Sequence, residues 1–152
     1  MYFGLLLIVV VIHEAGHAIA VLSFGLRLRK IAVWGVGYSF RERRFGPQVH
    51  GMGHRVDGFV EYDATSAPVK PHQRAWVAAA GPAANFFSAA VVSILYPIDS
   101  DAYRTLNEFA FLSLFAAAGN LVPFRGSDGR QILEVIKAWR RRSKAKANRR
   151  SD

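Results

Sequence analysis

Cysteine is absent from all 152 residues. That excludes a disulfide framework and any cysteine-ligated zinc site. Five histidines remain as nitrogen donors. Charge is scarce over two long stretches. From Tyr2 to Leu26 the only groups chargeable near neutral pH are His13, Glu14 and His17, and between Arg74 and Asp99 there is no charged side chain. Acid is also in short supply, leaving a formal charge of +9 and a pI near 10.5. So basic a small chain ordinarily suggests nucleic acid. Its distribution argues otherwise, because residues 137–152 hold eight basic side chains and carry +7 of the +9. No aromatic residue is interleaved after Trp139, so the base-stacking platform of a single-strand binder is missing, and no nucleic-acid partner is expected.

Half of the composition is hydrophobic and the mean hydropathy is +0.13. Tyr2–Leu26, at about 1.5 Å per residue, is long enough to cross a hydrocarbon core of about 30 Å. Ala75–Pro97 is a second candidate span, and Phe109–Pro123 a shorter third. Read as a cleaved signal peptide, the first segment would need a positive n-region, which it lacks, and cleavage after Ala20 would remove His13, Glu14 and His17. Between the first two spans, Arg27–Arg74 is too polar to cross. Ile31–Phe40 and Val56–Tyr62 read as strands, Gly46-Pro47 as a turn, and Ser66–Pro71 as a loop. Gln131–Trp139 reads as an amphipathic helix running into the basic tail, itself either disordered or lying on a surface.

The fold class expected is therefore a membrane all-α core of about three transmembrane helices, with a small β-rich membrane-associated segment between the first and second. Residues 1–136 form the core and 137–152 a basic tail. Basic residues concentrate in Arg27–Arg74 and in the tail, while Ile98–Glu108 is acidic. The positive-inside rule then places the N-terminus outside and the tail in the cytoplasm of a multi-pass membrane protein. Such a tail suits anionic lipid headgroups. Trp34, Trp76 and Trp139 near segment ends suit either interfacial anchoring or core packing.

Ionisable groups inside a span are costly and point to function. His13-Glu14-Ala15-Gly16-His17 is an HExxH sequence. Two histidines at i and i+4 share one helical face and reach one zinc ion, with the glutamate beside them as general base. A catalytic zinc takes a third protein ligand. Ser23 stands six residues after His17, where a third histidine would lie in the metzincin pattern. Glu42 sits in a charged turn, Arg41-Glu42-Arg43-Arg44. Glu61 is at a usable distance, and Asp128 follows the third span, although Asp-Gly is also common turn chemistry. His50, His54 and His72 read as loop histidines, since Gly51 and Gly53 argue against a helix.

Three motifs occur in order: HEAGH at 13–17, AAGPAAN at 79–85 and NLVPFRGSDG at 120–129. Together they resemble the HExxH, GPxxN and NxxPxxxxDG signatures of the site-2 protease family of intramembrane zinc metalloproteases, over the whole chain except the tail. The resemblance implies one catalytic Zn²⁺ held by His13, His17 and Asp128, with Glu14 activating water. It implies that Asn85 and Asn120 position the substrate peptide, and that Gly81 and Pro82 permit close helix approach and a local irregularity. It implies hydrolysis of peptide bonds in or near transmembrane segments of membrane-anchored substrates, with a strand edge in Arg27–Arg74 available to an unwound substrate. The third motif departs from the family's pattern at Phe124-Arg125-Gly126-Ser127, where more hydrophobic residues are usual. No inserted peptide-binding domain fits in Ile98–Glu108, which leaves substrate selection to the core, the tail or a regulatory membrane partner. The alternative function is a catalytically inactive membrane protein of this fold that binds a partner or a metal.

Overall fold

The computed structural model describes residues 2–47, 58–64, 69–95 and 103–148, with side chains through Ser143. Four helices and a four-stranded sheet make up these residues: α1 (Tyr2–Ser23), β1 (Leu28–Val33), β2 (Val36–Ser39), β3 (Arg44–Pro47), β4 (Gly58–Tyr62), α2 (Pro71–Leu95), α3 (Tyr103–Leu121) and α4 (Asp128–Asn148). At 1.5 Å per residue, α1 and α2 are roughly 33 and 37 Å long, and both are apolar enough to cross a membrane. The third expected span is a helix of 19 residues that does not reach the same apolarity. Its first two turns carry Arg104, Asn107 and Glu108, and Arg104 pairs with Glu108 at 3.3 Å.

The helical core buries a polar cluster among small apolar residues and turns large apolar side chains outward. His13, Glu14, His17, Asn85 and Ser113 are buried, whereas Phe3, Ile19, Phe87, Ile94, Phe111 and Phe115 are each more than 65% exposed. Water penalises that arrangement, and lipid favours it. Contact between α1 and α2 is close because Gly16 has no side chain: a Cβ there would stand 2.5 Å from the Ala80 carbonyl oxygen and 2.7 Å from Ala84 Cβ.

The sheet is antiparallel in the order β3-β2-β1-β4. Ile31–Phe40, expected as one strand, is instead a hairpin folded at Trp34-Gly35. Both residues take left-handed backbone, with φ of 51° and 76°, as a two-residue hairpin turn requires. For a bulky residue such as Trp34 that conformation is strained, and its ring packs on Phe3 in a tilted arrangement with centroids 4.5 Å apart. That contact brings the hairpin tip back to the start of α1, so the sheet runs alongside the helix rather than hanging from its end. Gly46-Pro47, expected as a turn, closes edge strand β3. Proline is tolerated there because the ladder needs no donor on the outer side. β4 begins at Gly58, so Val56 and Asp57 lie outside the described residues, as do His50 and His54. The helix expected over Gln131–Trp139 starts at Asp128 and continues across 136/137 to Asn148.

Candidate metal centre

Helices α1, α2 and α4 and strand β4 meet around the buried HEAGH turn. α1 supplies His13 and His17 one turn apart, rings edge-on with centroids 4.8 Å apart. Their Nε2 atoms converge to 3.1 Å. Asp128, the first residue of α4, brings Oδ2 to 3.0 Å from His13 Nε2 and 3.4 Å from His17 Nε2. Ser127 holds the α3–α4 turn: its hydroxyl donates to the Val122 and Phe124 carbonyls at 2.7 and 3.0 Å, and the Arg130 amide donates to it at 3.2 Å. A tetrahedral zinc with bonds of about 2.0–2.1 Å would separate its ligand atoms by about 3.3 Å. The donor set fits zinc both in chemistry and in spacing. Among the described residues no other group of three or more histidine and carboxylate side chains converges in this way.

Helix α2 shapes the back of the site with one helical face. Gly81 lies against both imidazoles, and a Cβ there would run into His17 Nε2 and stand 2.7 Å from His13 Nε2. Pro82, inside α2, removes the N–H that the Ala78 carbonyl would otherwise accept and loosens that turn. In the same turn the Val77 carbonyl accepts the Nδ1 proton of His17 at 2.6 Å. This fixes the tautomer that leaves Nε2 free for a metal. One turn on, Asn85 is wholly buried, with its Nδ2 3.2 Å from His13 Nδ1. Among the described residues Asn85 Oδ1 has no hydrogen-bond partner. Rotating the amide by 180° would exchange the two atoms and give a protonated Nδ1 its acceptor.

Burial pushes the Asp128 carboxyl upward, but in the metal-free site hydrogen bonds and charge from His13 and His17, protonated at both ring nitrogens, outweigh it and hold the group down at about 2. Glu14 is buried beside Gly58 at the start of β4, where a Cβ would stand 2.6 Å from Glu14 Oε1. A cavity of about 220 Å³ opens onto His13, Glu14, His17, Asn120, Gly58 and Asp128. Asn120 lines it while its amide donates to the Ala116 carbonyl one turn back, at 3.1 Å. The structure thus joins the two histidines and Asp128, sets Asn85 against His13, and leaves both Asn85 and Asn120 on the cavity wall. Glu42 is elsewhere, paired with Arg44 at 2.9 Å, and Glu61 faces Arg29 and Lys30 at 4.0 Å. The parts that sequence reasoning missed are Val77 and Gly58. A backbone carbonyl has no residue-type signal, although Pro82 five residues later marks the irregular turn.

An antiparallel sheet tucked beside an HExxH helix, closed by an aspartate from a later helix, defines a helical metallopeptidase-type centre. The sequence profile of peptidase family M50 matches residues 1–101, and the chain belongs to that family, the site-2 proteases. The match contains HEAGH and AAGPAAN and ends before Asp128. Asp128, the third member of the His/His/Asp group, lies beyond the matched segment. Comparison with curated proteins gives no match.

Proposed function

We propose that the chain is a zinc-dependent intramembrane endopeptidase that cuts membrane-anchored proteins in or near their transmembrane segments. The observation that carries this reading is the convergence of His13, His17 and Asp128 beside buried Glu14, on a chain of family M50. Zinc bound at those three residues would supply Lewis acidity, acidifying the attacking water and polarising the scissile carbonyl. Glu14 takes the proton from that water and returns it to the leaving amine. Asn120, on the cavity wall, is placed to donate to the substrate backbone.

A helical substrate hides its carbonyls behind its own hydrogen bonds. Among the described residues, strand β4 pairs with β1 at one end of the sheet and starts against Glu14. An unwound substrate segment added to the sheet at β4 would present its backbone to the cavity. With the positive-inside rule, the N-terminus lies outside and α4 on the cytoplasmic face. His17 is about 9 Å from the end of α1, so the site lies toward that face. The inactive-protein reading gains nothing from the site, which retains the base and all three ligands.

The test is metal analysis and cleavage by the purified protein in lipid. The reading predicts one zinc per chain, cleavage of a transmembrane reporter, loss of cleavage on chelation and its return with zinc. A protein that holds no stoichiometric zinc and cuts nothing would favour the inactive alternative.

A further inference from the structure

Away from the metal centre, a groove of about 550 Å³ runs between the start of α2 and α4. Lys70 and Arg74 line it from one side and Arg142 from the other, with Gln131 and Glu134 between. Among the described residues none of the three cations forms an ion pair, while the one acid is already paired, Glu134 accepting from Arg130 at 3.0 Å. Three cations against one acid, itself engaged by Arg130, leave the groove net positive.

Its position says what anion it faces. Consecutive antiparallel helices put the start of α2 and the end of α3 at the same end of the bundle, and α4 follows α3 there. Trp76, one and a half turns into α2, and Trp139 on α4 are 66% and 67% exposed, a placement suited to the headgroup level of a bilayer. Ile132, Val135, Ile136 and Trp139 follow i, i+3, i+4, i+7 spacing along α4, and Ile136 is 39% exposed. A basic helix with such a stripe lies in the interface plane.

We propose that this groove binds the phosphate of an anionic phospholipid headgroup, gripped by Lys70, Arg74 and Arg142. It rests on the membrane placement proposed above and not on peptidase chemistry. Planar guanidinium groups from two helices pair well with phosphate oxygens. The bound headgroup would bridge α2 and α4, the helix that opens with Asp128.

The full chain is placed in nanodiscs of phosphatidylcholine with a minor fraction of phosphatidylglycerol, and lipids retained after release are counted by native mass spectrometry. Incorporation into pure phosphatidylcholine discs tests membrane placement separately. The wild type should retain phosphatidylglycerol selectively. The variant Lys70→Gln, Arg74→Gln, Arg142→Gln should lose that preference by roughly tenfold or more. The variant Lys137→Gln, Arg140→Gln, Arg141→Gln removes equal charge from α4 outside the groove and should keep most of it. Circular dichroism confirms that both are folded. Equal loss in the two variants, or no selectivity in the wild type, would overturn the proposal. Displacement of the lipid by millimolar inorganic phosphate would also overturn it, assigning the groove to a free anion.

Discussion

At the scale of single residues, the site separates groups that hold a metal from groups that orient the holders. Glu14 touches neither description and should act on protons alone. Asn85 fits the second class through its contact with His13, and it also borders the cavity, where a substrate backbone could reach it. Replacing Asn85 with Leu should weaken zinc binding by roughly 10–100-fold in chelator competition, the usual cost of losing the partner that orients a metal-binding imidazole. Asp, which keeps an acceptor for the Nδ1 proton, should retain more affinity than Leu. If both variants hold zinc as tightly as the wild type, the amide does not orient His13. Asp128 makes a pH prediction for the metal-free protein. Its carboxyl is lowered to about 2, so its stabilising contribution is complete above the unfolded value of about 3.9. That contribution fades as pH falls from there through about 2. Acid titration of helix packing should show this loss in the wild type and not in Asp128→Asn.

Elements explain why the site exists at all. One buried face of α2 repeats through Val77, Ala78, Gly81, Pro82 and Asn85, and Val77, Gly81 and Asn85 on it meet the α1 histidines. Gly81→Ala should leave the helices formed but force the imidazoles apart. Overpacking of this kind costs about 1–3 kcal/mol, with loss of stoichiometric zinc as the sharper readout. Much of this was legible beforehand, because HEAGH and GPAAN are carried by runs whose apolar surroundings make buried polar groups conspicuous. Asp128 was legible only as part of a three-motif pattern. In isolation an Asp-Gly pair carries the same signal as a turn, and only the Ser127-braced α3–α4 connection delivers it to the histidines. The sheet was less legible. A strained Trp34-Gly35 turn has no Asn-Gly or Asp-Gly signature, so two strands read as one. The strands also pack back along α1, a long-range contact that no local pattern encodes. The limits of α3 follow from Arg104 and Glu108, which pair with each other and let a polar turn extend an apolar helix.

For the whole molecule, the absence of cysteine offers a direct test of topology. Single cysteines introduced at Ser100 and at Ser151 have no native thiol to compete with them. A membrane-impermeant thiol reagent applied to intact cells should label Ser100→Cys and reach Ser151→Cys only after permeabilisation. The opposite pattern would invert the molecule and move the groove of Lys70, Arg74 and Arg142 to the outer face. The basic charge also acquires structure at this scale. Lys137 and Arg140 to Arg142 project from a helix that begins at Asp128, so the helix proposed to contact the headgroup layer also carries the proposed third metal ligand.

The central claim is that Glu14 moves the proton of a water activated at His13, His17 and Asp128. Its most direct test compares wild type with Glu14→Gln, purified in lipid, for zinc content and for the rate of cutting a transmembrane reporter. The account predicts equal zinc in both, one ion per chain, and a rate lower in the variant by roughly 10²–10⁴-fold. Equal rates at equal zinc content would contradict it.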